Sequence, residues 1–336
     1  MGVSRLLVES HPACLEHVAG PGHPESPIRL KAALQGLRGA GLGDDIAWVE
    51  PREATEEELG LVHTGDHIDT IRRLCERGGG RIDLDTGAVR ESWKAALVAA
   101  GSGLDAVERL DRGEADAAFC AVRPPGHHAT DGKAMGFCLF NSAAVCAASL
   151  AERGERVLIV DWDAHHGNGT QDIFYQDARV LYVSVHQWPL YPGTGRVEER
   201  GAGAGEGLNV NFPVPPGATG DVFVAALDAV APLVDEFGPT WVLMSCGFDS
   251  HRDDTLGETA LGLRKGDYWE LVRRCAQLAP PGHRILFLEG GYNPDAVADS
   301  SGACARALAG ADPVGEKTSG GPGMDVVEEV SRLLAR

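Results

Sequence analysis

Several signals of common protein classes are missing from this chain of 336 residues. Its longest apolar runs, such as VLIV at 157–160 and ILFL at 285–288, are too short to cross a bilayer. The segment 1–10 lacks the charged start, long apolar stretch and small-residue cleavage site of a signal peptide. Eight cysteines occur without a CxxC pair, which favours reduced thiols over a disulfide framework. We therefore expect a cytoplasmic protein that does not bind membranes.

Positive charge is also scarce. Lys and Arg total 30 against 49 Asp and Glu, which gives a net charge of -19. Such a surface repels phosphate backbones, so we expect no direct binding of nucleic acid. The glycine-rich segment 201–207 fails the GxGxxG pattern, because Glu206 or Leu208 stands where the third glycine is needed. A P-loop, an HExxH helix and a GxSxG elbow are absent as well, which removes the usual signals of nucleotide binding and serine hydrolysis.

The composition is that of a globular protein with a real core, with 43% hydrophobic and 24% charged residues. Short apolar runs alternate with longer helical patterns. The runs predict strands at 4–9, 116–122, 156–161, 180–186, 241–246 and 284–289, and helices at 87–112, 141–153, 219–237, 263–278 and 295–309. This alternation predicts an α/β fold with one open, mostly parallel sheet flanked by helices. We expect a single domain over residues 1–336, ending in a helix at 324–336.

Polar segments follow four of the predicted strands, at 123–129, 161–171, 247–250 and 290–293. In open α/β sheets, functional residues collect beyond the carboxyl ends of the strands. Asp163 and His165 lie two residues apart, on the same side of an extended segment. Together with Asp249 they form a donor set able to hold Zn²⁺, Fe²⁺ or a similar ion and leave a position open for catalysis. A nearby histidine is able to take and return a proton, and the Tyr292 hydroxyl is able to donate to an oxyanion. Together with the metal, these groups are what metal-assisted amide hydrolysis requires.

Each of these segments also has a structural explanation when taken alone. A His-His pair in a Pro/Gly loop is often solvated, Asp249 has the residue type of a helix N-cap, and Tyr292 has the setting of a packed turn. Their joint occurrence at strand ends favours the functional interpretation.

The motifs resemble, in order, those of the histone deacetylase family, in the class II-like group that includes bacterial deacetylase-like amidohydrolases and acetylpolyamine amidohydrolases. They are GHPESP (22–27), RPPGHHA (123–129), GFC (136–138), DWDAHHGNGTQ (161–171), YPGTG (191–195), GFD (247–249) and EGGY (289–292). The resemblance covers nearly the whole chain. It implies the arginase/deacetylase fold with an eight-stranded parallel sheet, and zinc-dependent removal of acyl groups.

The resemblance also implies two metal sites. Asp163, His165 and Asp249 match the ligands of one zinc ion, with Fe²⁺ as the alternative metal. A structural monovalent cation, usually K⁺, is implied near Asp161, Asp163, His165 and Ser184.

Catalytic roles follow from the same resemblance. His128 matches the general base, which also acts as the acid for the leaving amine, and Asn168 matches its partner in class II members. His127 matches an electrostatic helper whose imidazole is held by buried Asp161. Tyr292 matches the tyrosine that donates to the oxyanion, so full activity on acetyl-lysine is implied.

A substrate tunnel is implied at Gly136, Phe137, Tyr191 and Leu256. Phe137 matches one aromatic wall, whereas Tyr191 stands where the other wall is usually Phe. Leu256 takes the position at which polyamine-selective relatives have an acidic residue. Asp85 is aligned with the rim, and Asp254 matches a family aspartate that lies behind the zinc ligands.

Four functions stay open at this point. The first is deacylation of acyl-lysine in proteins or peptides, which Leu256 favours. The second is deacetylation of acetylated polyamines or another small amide, and the acidic surface attracts both polyamines and Lys-rich tails. The third is a metal-binding regulatory protein without catalysis. A binuclear manganese ureohydrolase is disfavoured, because it needs further Asp and His ligands, whereas Asp163 and His165 are followed here by HG (166–167) and Asp249 by SH (250–251). A homo-oligomer is also left open.

Overall fold

A parallel sheet of eight strands forms the centre of this computed structural model, which describes residues 5–256 and 259–335. Its strands are β1 (Leu6–Glu9), β2 (Ile46–Val49), β5 (Ala117–Cys120), β6 (Val157–Asp161), β7 (Val180–Gln187), β8 (Asn209–Val214), β9 (Trp241–Cys246) and β10 (Arg284–Leu288). A separate antiparallel hairpin pairs β3 (Gly79–Arg81) with β4 (Gly87–Val89). The sheet confirms the predicted α/β class and the strand number that the resemblance implies.

Helices pack on this sheet in two groups. They are α1 (Pro27–Gly39), α2 (Glu56–Leu59), α3 (Gly65–Glu76), α4 (Ser92–Asp111), α5 (Ser142–Glu152), α6 (Asn168–Phe174), α7 (Gly220–Phe237), α8 (Lys265–Ala276), α9 (Pro294–Leu308) and α10 (Met324–Leu334). Helices α4 and α5 contact each other and strands β5, β6, β9 and β10. Helices α1, α9, α8 and α7 form a second contiguous row. Strands β5, β6 and β9 are buried along their whole length, as the continuous apolar runs predict.

The strand order is β2-β1-β5-β10-β9-β6-β7-β8, and every neighbouring pair is parallel. The four strands that end in polar segments, β5, β10, β9 and β6, are therefore adjacent and central. Their carboxyl ends meet at one edge, because parallel strands all point the same way. This order brings together segments that lie more than 150 residues apart in the chain, between 123 and 293.

Two features of the fold differ from the sequence prediction. The helix predicted at 87–112 begins only at Ser92, because residues 87–89 form β4 and the Ser92 hydroxyl accepts the Val89 N–H at 2.9 Å. The edge strands β2 and β8 and helices α1, α2, α3 and α6 were not predicted. The strand expected at 4–9, the segment 1–10 and the helix expected at 324–336 each include residues outside the described ranges, namely 1–4 and 336.

No helix within the described ranges is both long and apolar enough to span a membrane. All eight cysteines are buried and free of disulfides. The cytoplasmic location stays a prediction.

Glu9, at the carboxyl end of β1, is a fully buried carboxyl group that lacks a hydrogen-bond partner for either oxygen. It faces Asp105, Arg109 and Glu114. The Arg109 Nε lies 3.8 Å from Glu9 Oε1 but only 2.6 Å from Asp105 Oδ2. Burial, followed by the neighbouring Asp105, raises the pKa of Glu9 from 4.5 to about 9. The folded protein therefore holds Glu9 protonated at neutral pH.

We expect Glu9→Gln to stabilise the protein increasingly as the pH rises. A carboxyl whose pKa is raised on folding contributes its full stability below pH 4.5 and loses it as the pH approaches about 9. Because glutamine needs no proton, its advantage should be near zero at about pH 4 and roughly 1–4 kcal/mol at about pH 8. Urea unfolding at both pH values measures it, with Glu57→Gln, at an exposed position of α2, as the control. Equal free energies of unfolding at the higher pH would contradict the assignment.

Candidate active site

Four loops at the carboxyl edge of the sheet supply the site. His127 and His128 follow β5, Asp163 and His165 follow β6, and Asp249 follows β9. The loop after β10 supplies the sixth residue, a tyrosine. The structure therefore brings the residues predicted from four separate motifs to one place.

Asp163, His165 and Asp249 form a buried cluster whose ligand atoms all lie within 4.8 Å of one another. The His165 Nδ1 is 3.1 Å from Asp163 Oδ1 and 3.0 Å from Asp249 Oδ2. Backbone groups fix both carboxylates: the Ala164 N–H donates to Asp249 Oδ1 at 2.9 Å, and the Gly290 N–H donates to Asp163 Oδ2 at 2.8 Å. The three side chains predicted to be metal ligands thus converge.

Glycine is required beside this cluster. A Cβ atom at Gly290 would lie 2.4 Å from Asp249 Oδ2 and 2.6 Å from Asp163 Oδ2. A Cβ atom at Gly247 would lie 2.1 Å from Asp163 Oδ2. Any larger residue would push the carboxylates out of position, which explains why the GFD and EGG motifs carry glycine there.

The two buried carboxylates of the cluster favour a positive charge beside them. Burial, and then the charge of Asp163, raise the pKa of Asp249 to about 6. Burial alone would lower the pKa of His165, but hydrogen bonds to Asp163 and Asp249 outweigh it and raise the pKa to about 10. Two carboxylates this close repel each other unless a positive charge lies beside them, and either the imidazolium of His165 or a bound divalent ion is able to supply it. Two carboxylate oxygens and one imidazole nitrogen are a donor set that fits Zn²⁺ or Fe²⁺.

We expect the protein to bind one divalent ion per chain through this cluster. A ligand that binds only the folded state stabilises it by about 3 kcal/mol at 100 times its Kd, so Zn²⁺ should raise the Tm of the chelated protein. Asp249→Asn should abolish most of this rise, because it removes one anionic ligand. Asp253→Asn is the matched control, since that side chain is 67% exposed and outside the cluster. Metal analysis and thermal unfolding provide the measurement, and an unchanged Zn²⁺ response in Asp249→Asn would contradict it.

The two adjacent histidines are held by different partners. The Nδ1 of His127 lies 3.0 Å from Asp161 Oδ2, and the Tyr182 hydroxyl donates to the same oxygen at 3.0 Å. The Nδ1 of His128 lies 2.8 Å from the amide oxygen of Asn168. Since that oxygen only accepts, Nδ1 of His128 carries the proton and Nε2 keeps its lone pair. Both partners are those that the resemblance implies.

The same partners shift the two pKa values in opposite directions. Burial alone would lower the pKa of His127, but Asp163 and Asp161 raise it to about 10. Burial, reinforced by the charges of His127 and His165, lowers the pKa of His128 well below its usual value. His127 is therefore a cation at neutral pH and His128 is neutral. Environments that push two neighbouring pKa values apart are typical of acid–base sites.

Tyr292 is fixed from two sides. A carboxylate oxygen of Asp254 accepts the backbone N–H of Tyr292 and, at 2.8 Å, that of Asn293. The buried guanidinium of Arg29 lies 4.9 Å from the centre of the Tyr292 ring. Arg29 also donates to the backbone oxygens of Glu289 and Gly291. The loop after β10 is thus held by side chains from two other parts of the chain.

A cavity of about 290 Å³ opens above these groups. It is lined by Pro24, Asp85, His128, Gly136, Phe137, His165, Tyr191, Leu256 and Tyr292. All four residues predicted for the tunnel line it, and Asp85 is at its exposed rim. The Tyr191 ring is perpendicular to the His128 ring, with centroids 5.3 Å apart. Among the residues that the structure describes, Asp85 is the single carboxylate in this lining, and no Lys or Arg belongs to it.

Gly136 and Phe137 shape one wall of this cavity. Both have left-handed backbone conformations, with φ of 54° and 69°. A Cβ atom at Gly136 would lie 2.3 Å from the His128 ring, so the wall approaches the histidine as closely as a backbone permits. The Phe137 ring is perpendicular to that of Tyr292, with centroids 5.9 Å apart.

Of the residues predicted to hold K⁺, His165 lines the cavity, whereas Asp161, Asp163 and Ser184 are buried and outside its lining. Asp161 and Ser184 face each other in the β6–β7 ladder. The Nε2 of His186 bonds to the carbonyl of Gly195 at 3.0 Å, so its Nδ1 accepts from the Ser184 hydroxyl at 2.9 Å. This arrangement fixes the direction of the Ser184 hydroxyl proton.

A buried network around Glu25 was not found from the sequence. Its carboxylate accepts from Arg123 at 2.5 and 2.6 Å and from Arg29 at 3.1 Å. Glu289, the first residue of the EGGY motif, accepts the N–H groups of Gly126 at 2.7 Å and of His127 at 3.2 Å. Glu25 lies in the GHPESP motif and Glu289 in the EGGY motif, so both motifs marked these residues. No local pattern in the sequence shows which residues they bind.

Comparison with known proteins places this chain and its fold in one class. The family model described as "Histone deacetylase domain" matches residues 23–308. The crystal structure of the HDA15 HD domain superimposes with a TM-score of 0.90 at 36% identity, covering 98% of this chain and 94% of that one. The chain therefore belongs to the histone deacetylase family and has its fold.

Two relatives illustrate the range of similarity. A "Probable deacetylase" of Archaeoglobus fulgidus is 40% identical over 290 residues, which is 84% of this chain and 80% of that protein. "Histone deacetylase 15" of Arabidopsis thaliana is 40% identical over 319 residues, which is 93% of this chain but 56% of the plant protein. Family membership makes this chain a deacetylase-type hydrolase.

Proposed function

We propose that this protein is a zinc-dependent deacylase that removes acetyl or similar acyl groups from acyl-lysine side chains in proteins or peptides. The observation that carries the proposal is the cavity of about 290 Å³, which has Phe137 and Tyr191 in its walls and His128, His165 and Tyr292 in its lining. Aromatic walls suit the methylene chain of lysine. The neutral amide would reach the polar groups without bringing a charge.

Asp163, His165 and Asp249 would hold the zinc ion. When bound, this ion supplies a Lewis acid for the amide carbonyl and lowers the pKa of a water molecule. His128 would take a proton from the attacking water at Nε2, because Asn168 keeps the other nitrogen protonated. It would then return the proton to the leaving amine.

His127 and Tyr292 would stabilise charge during the reaction. The imidazolium of His127, paired with Asp161, offsets negative charge that develops as the carbonyl is attacked. The Tyr292 hydroxyl would donate to the oxyanion of the tetrahedral intermediate, with its loop held by Asp254. We also propose a structural K⁺ near Asp161, Asp163, His165 and Ser184, and that residues 1–336 act as one catalytic domain.

A second candidate, deacetylation of acetylated polyamines, is favoured by one observation. The carboxylate of Asp85 lies at the cavity rim and is exposed, so it is able to pair with a second ammonium group. Leu256, 45% exposed at the same rim, offers no such partner. Leu256 therefore favours acyl-lysine over a polycation.

We expect the Zn²⁺-loaded protein to show a higher kcat/KM on an acetyl-lysine peptide than on an acetylated polyamine. Both substrates are measured side by side at equal ionic strength, because screening weakens attraction to the acidic surface. A preference for the polyamine would overturn the substrate class but not the metal chemistry. The absence of turnover on both would overturn the proposed function.

A further inference from the structure

A second cavity lies beside the tunnel. Its volume is about 730 Å³, and it is lined by the loop 18–23 and the hairpin segment 80–89; we call it the lateral groove. Asp85 lines both the lateral groove and the tunnel cavity. His23, on the wall of the groove, packs edge-on against Phe137 of the tunnel, with ring centroids 4.6 Å apart. The two openings are therefore continuous at the surface.

The lateral groove is preformed by hydrogen bonds. The carboxylate of Asp83 accepts the N–H groups of Asp85 at 3.0 Å and Thr86 at 2.7 Å, which closes the tip of the hairpin. The Nε2 of His23 bonds to the Asp85 carbonyl at 2.8 Å, and the Thr86 hydroxyl accepts the Phe137 N–H at 3.1 Å. These bonds tie the hairpin to the opposite loop and to the tunnel wall.

The groove presents apolar side chains to solvent. Leu84, at the hairpin tip, is 87% exposed, and Val18 on the facing loop is 38% exposed. The guanidinium of Arg81 is engaged by the carbonyl oxygens of Asp83 and Leu84, so it stays bound to the hairpin. A leucine held in this way on an ordered turn gains nothing for folding, whereas burial against a ligand would be favourable.

We propose that the lateral groove binds the polypeptide that flanks the acyl-lysine, and that Leu84 and Val18 contact an apolar side chain of that segment. The proposal rests on the proposed function and narrows its substrate class to acylated polypeptides with an apolar neighbour. A thin polycation such as a polyamine has no side chain to cover Leu84. Continuity with the tunnel at Asp85 gives the chain a direct path from one opening to the other.

The test compares three substrates of the Zn²⁺-loaded protein. They are a short Nε-acetyl-lysine amide, an acetyl-lysine peptide with glycine neighbours and the same peptide with leucine neighbours. We expect kcat/KM to be about 10-fold higher with leucine neighbours, which is the range for one apolar contact. Leu84→Ser should abolish most of this gain through KM and leave the short amide unaffected. Leu61→Ser, at a residue 43% exposed and outside both cavities, is the matched control.

The outcomes separate the two proposals. If the short amide is hydrolysed but leucine and glycine neighbours give equal kcat/KM, the groove proposal is overturned and the proposed function stands. The groove proposal also fails if Leu84→Ser lowers turnover of the short amide as strongly as that of the peptide. If no acyl-lysine substrate is hydrolysed, the proposed function fails first and the groove proposal with it. If Leu84→Ser instead changes the oligomeric state, the groove is an interface between two copies of the chain.

Discussion

Replacing His128 with alanine is expected to abolish turnover while leaving the metal bound. His128 is neutral because burial, His127 and His165 lower its pKa, and its Nδ1 is already bonded to Asn168. Its Nε2 is therefore the available base. Positioned acid–base groups contribute about 10²- to 10⁴-fold, and we expect the upper end because one residue would serve both proton transfers. The measurement is kcat on an acetyl-lysine peptide together with metal content.

A control separates lost chemistry from lost structure. His11→Ala removes a histidine that lies outside the tunnel cavity, where it caps a short turn, and should leave kcat near that of the wild type. The His128→Ala protein should keep one metal per chain and its thermal unfolding midpoint. Substantial turnover in this variant would remove His128 from the mechanism, and loss of the metal would assign it a binding role instead.

Tyr292→Phe is expected to lower kcat about 10²- to 10³-fold, the effect of removing one oxyanion donor, with a small change in KM. The ring stays in place against Arg29 and Phe137, so only the hydroxyl is lost. Tyr191→Phe is the matched control, because it removes a hydroxyl from the tunnel wall at a position 40% exposed. We expect its kcat on acetyl-lysine to stay near that of the wild type. Equal kcat values for the two variants would contradict the role of Tyr292.

The central strands could be predicted from the sequence because they are buried on both faces. Strand β9 was predicted at 241–246, as observed, since an apolar run buried on both faces has one strong signal. The edge strands were not predicted: β8 includes Asn209, Asn211 and Pro213, which disfavour strand formation. In the same way, α1 was missed although Ser26 and Pro27 are typical of a helix start. Local patterns are weakest where tertiary contacts supply the stabilisation.

The candidate site also has a part that could be predicted from the sequence and a part that could not. Side chains that follow directly from strand ends, such as Asp163 and Asp249, were predictable because a parallel sheet collects those ends. The pairing of Glu25 with Arg123 joins residues 98 positions apart and depends on complementary charges in a buried region. No periodicity encodes such a pair. The lateral groove could not be predicted from the sequence either, since it depends on how a hairpin packs against a loop more than 55 residues earlier in the chain.

The place of β10 in the sheet has a consequence for biosynthesis. Within the described residues, this strand is the last of the sheet to be synthesised, and it alone joins β2-β1-β5 to β9-β6-β7-β8. The histidine pair belongs to the first half and the aspartate ligands to the second. A nascent chain that has not yet released residues 284–288 from the ribosome leaves two open strand edges, which are prone to aggregation. Its two sets of reactive groups are also still apart, so we expect no activity before strand β10 has inserted between β5 and β9.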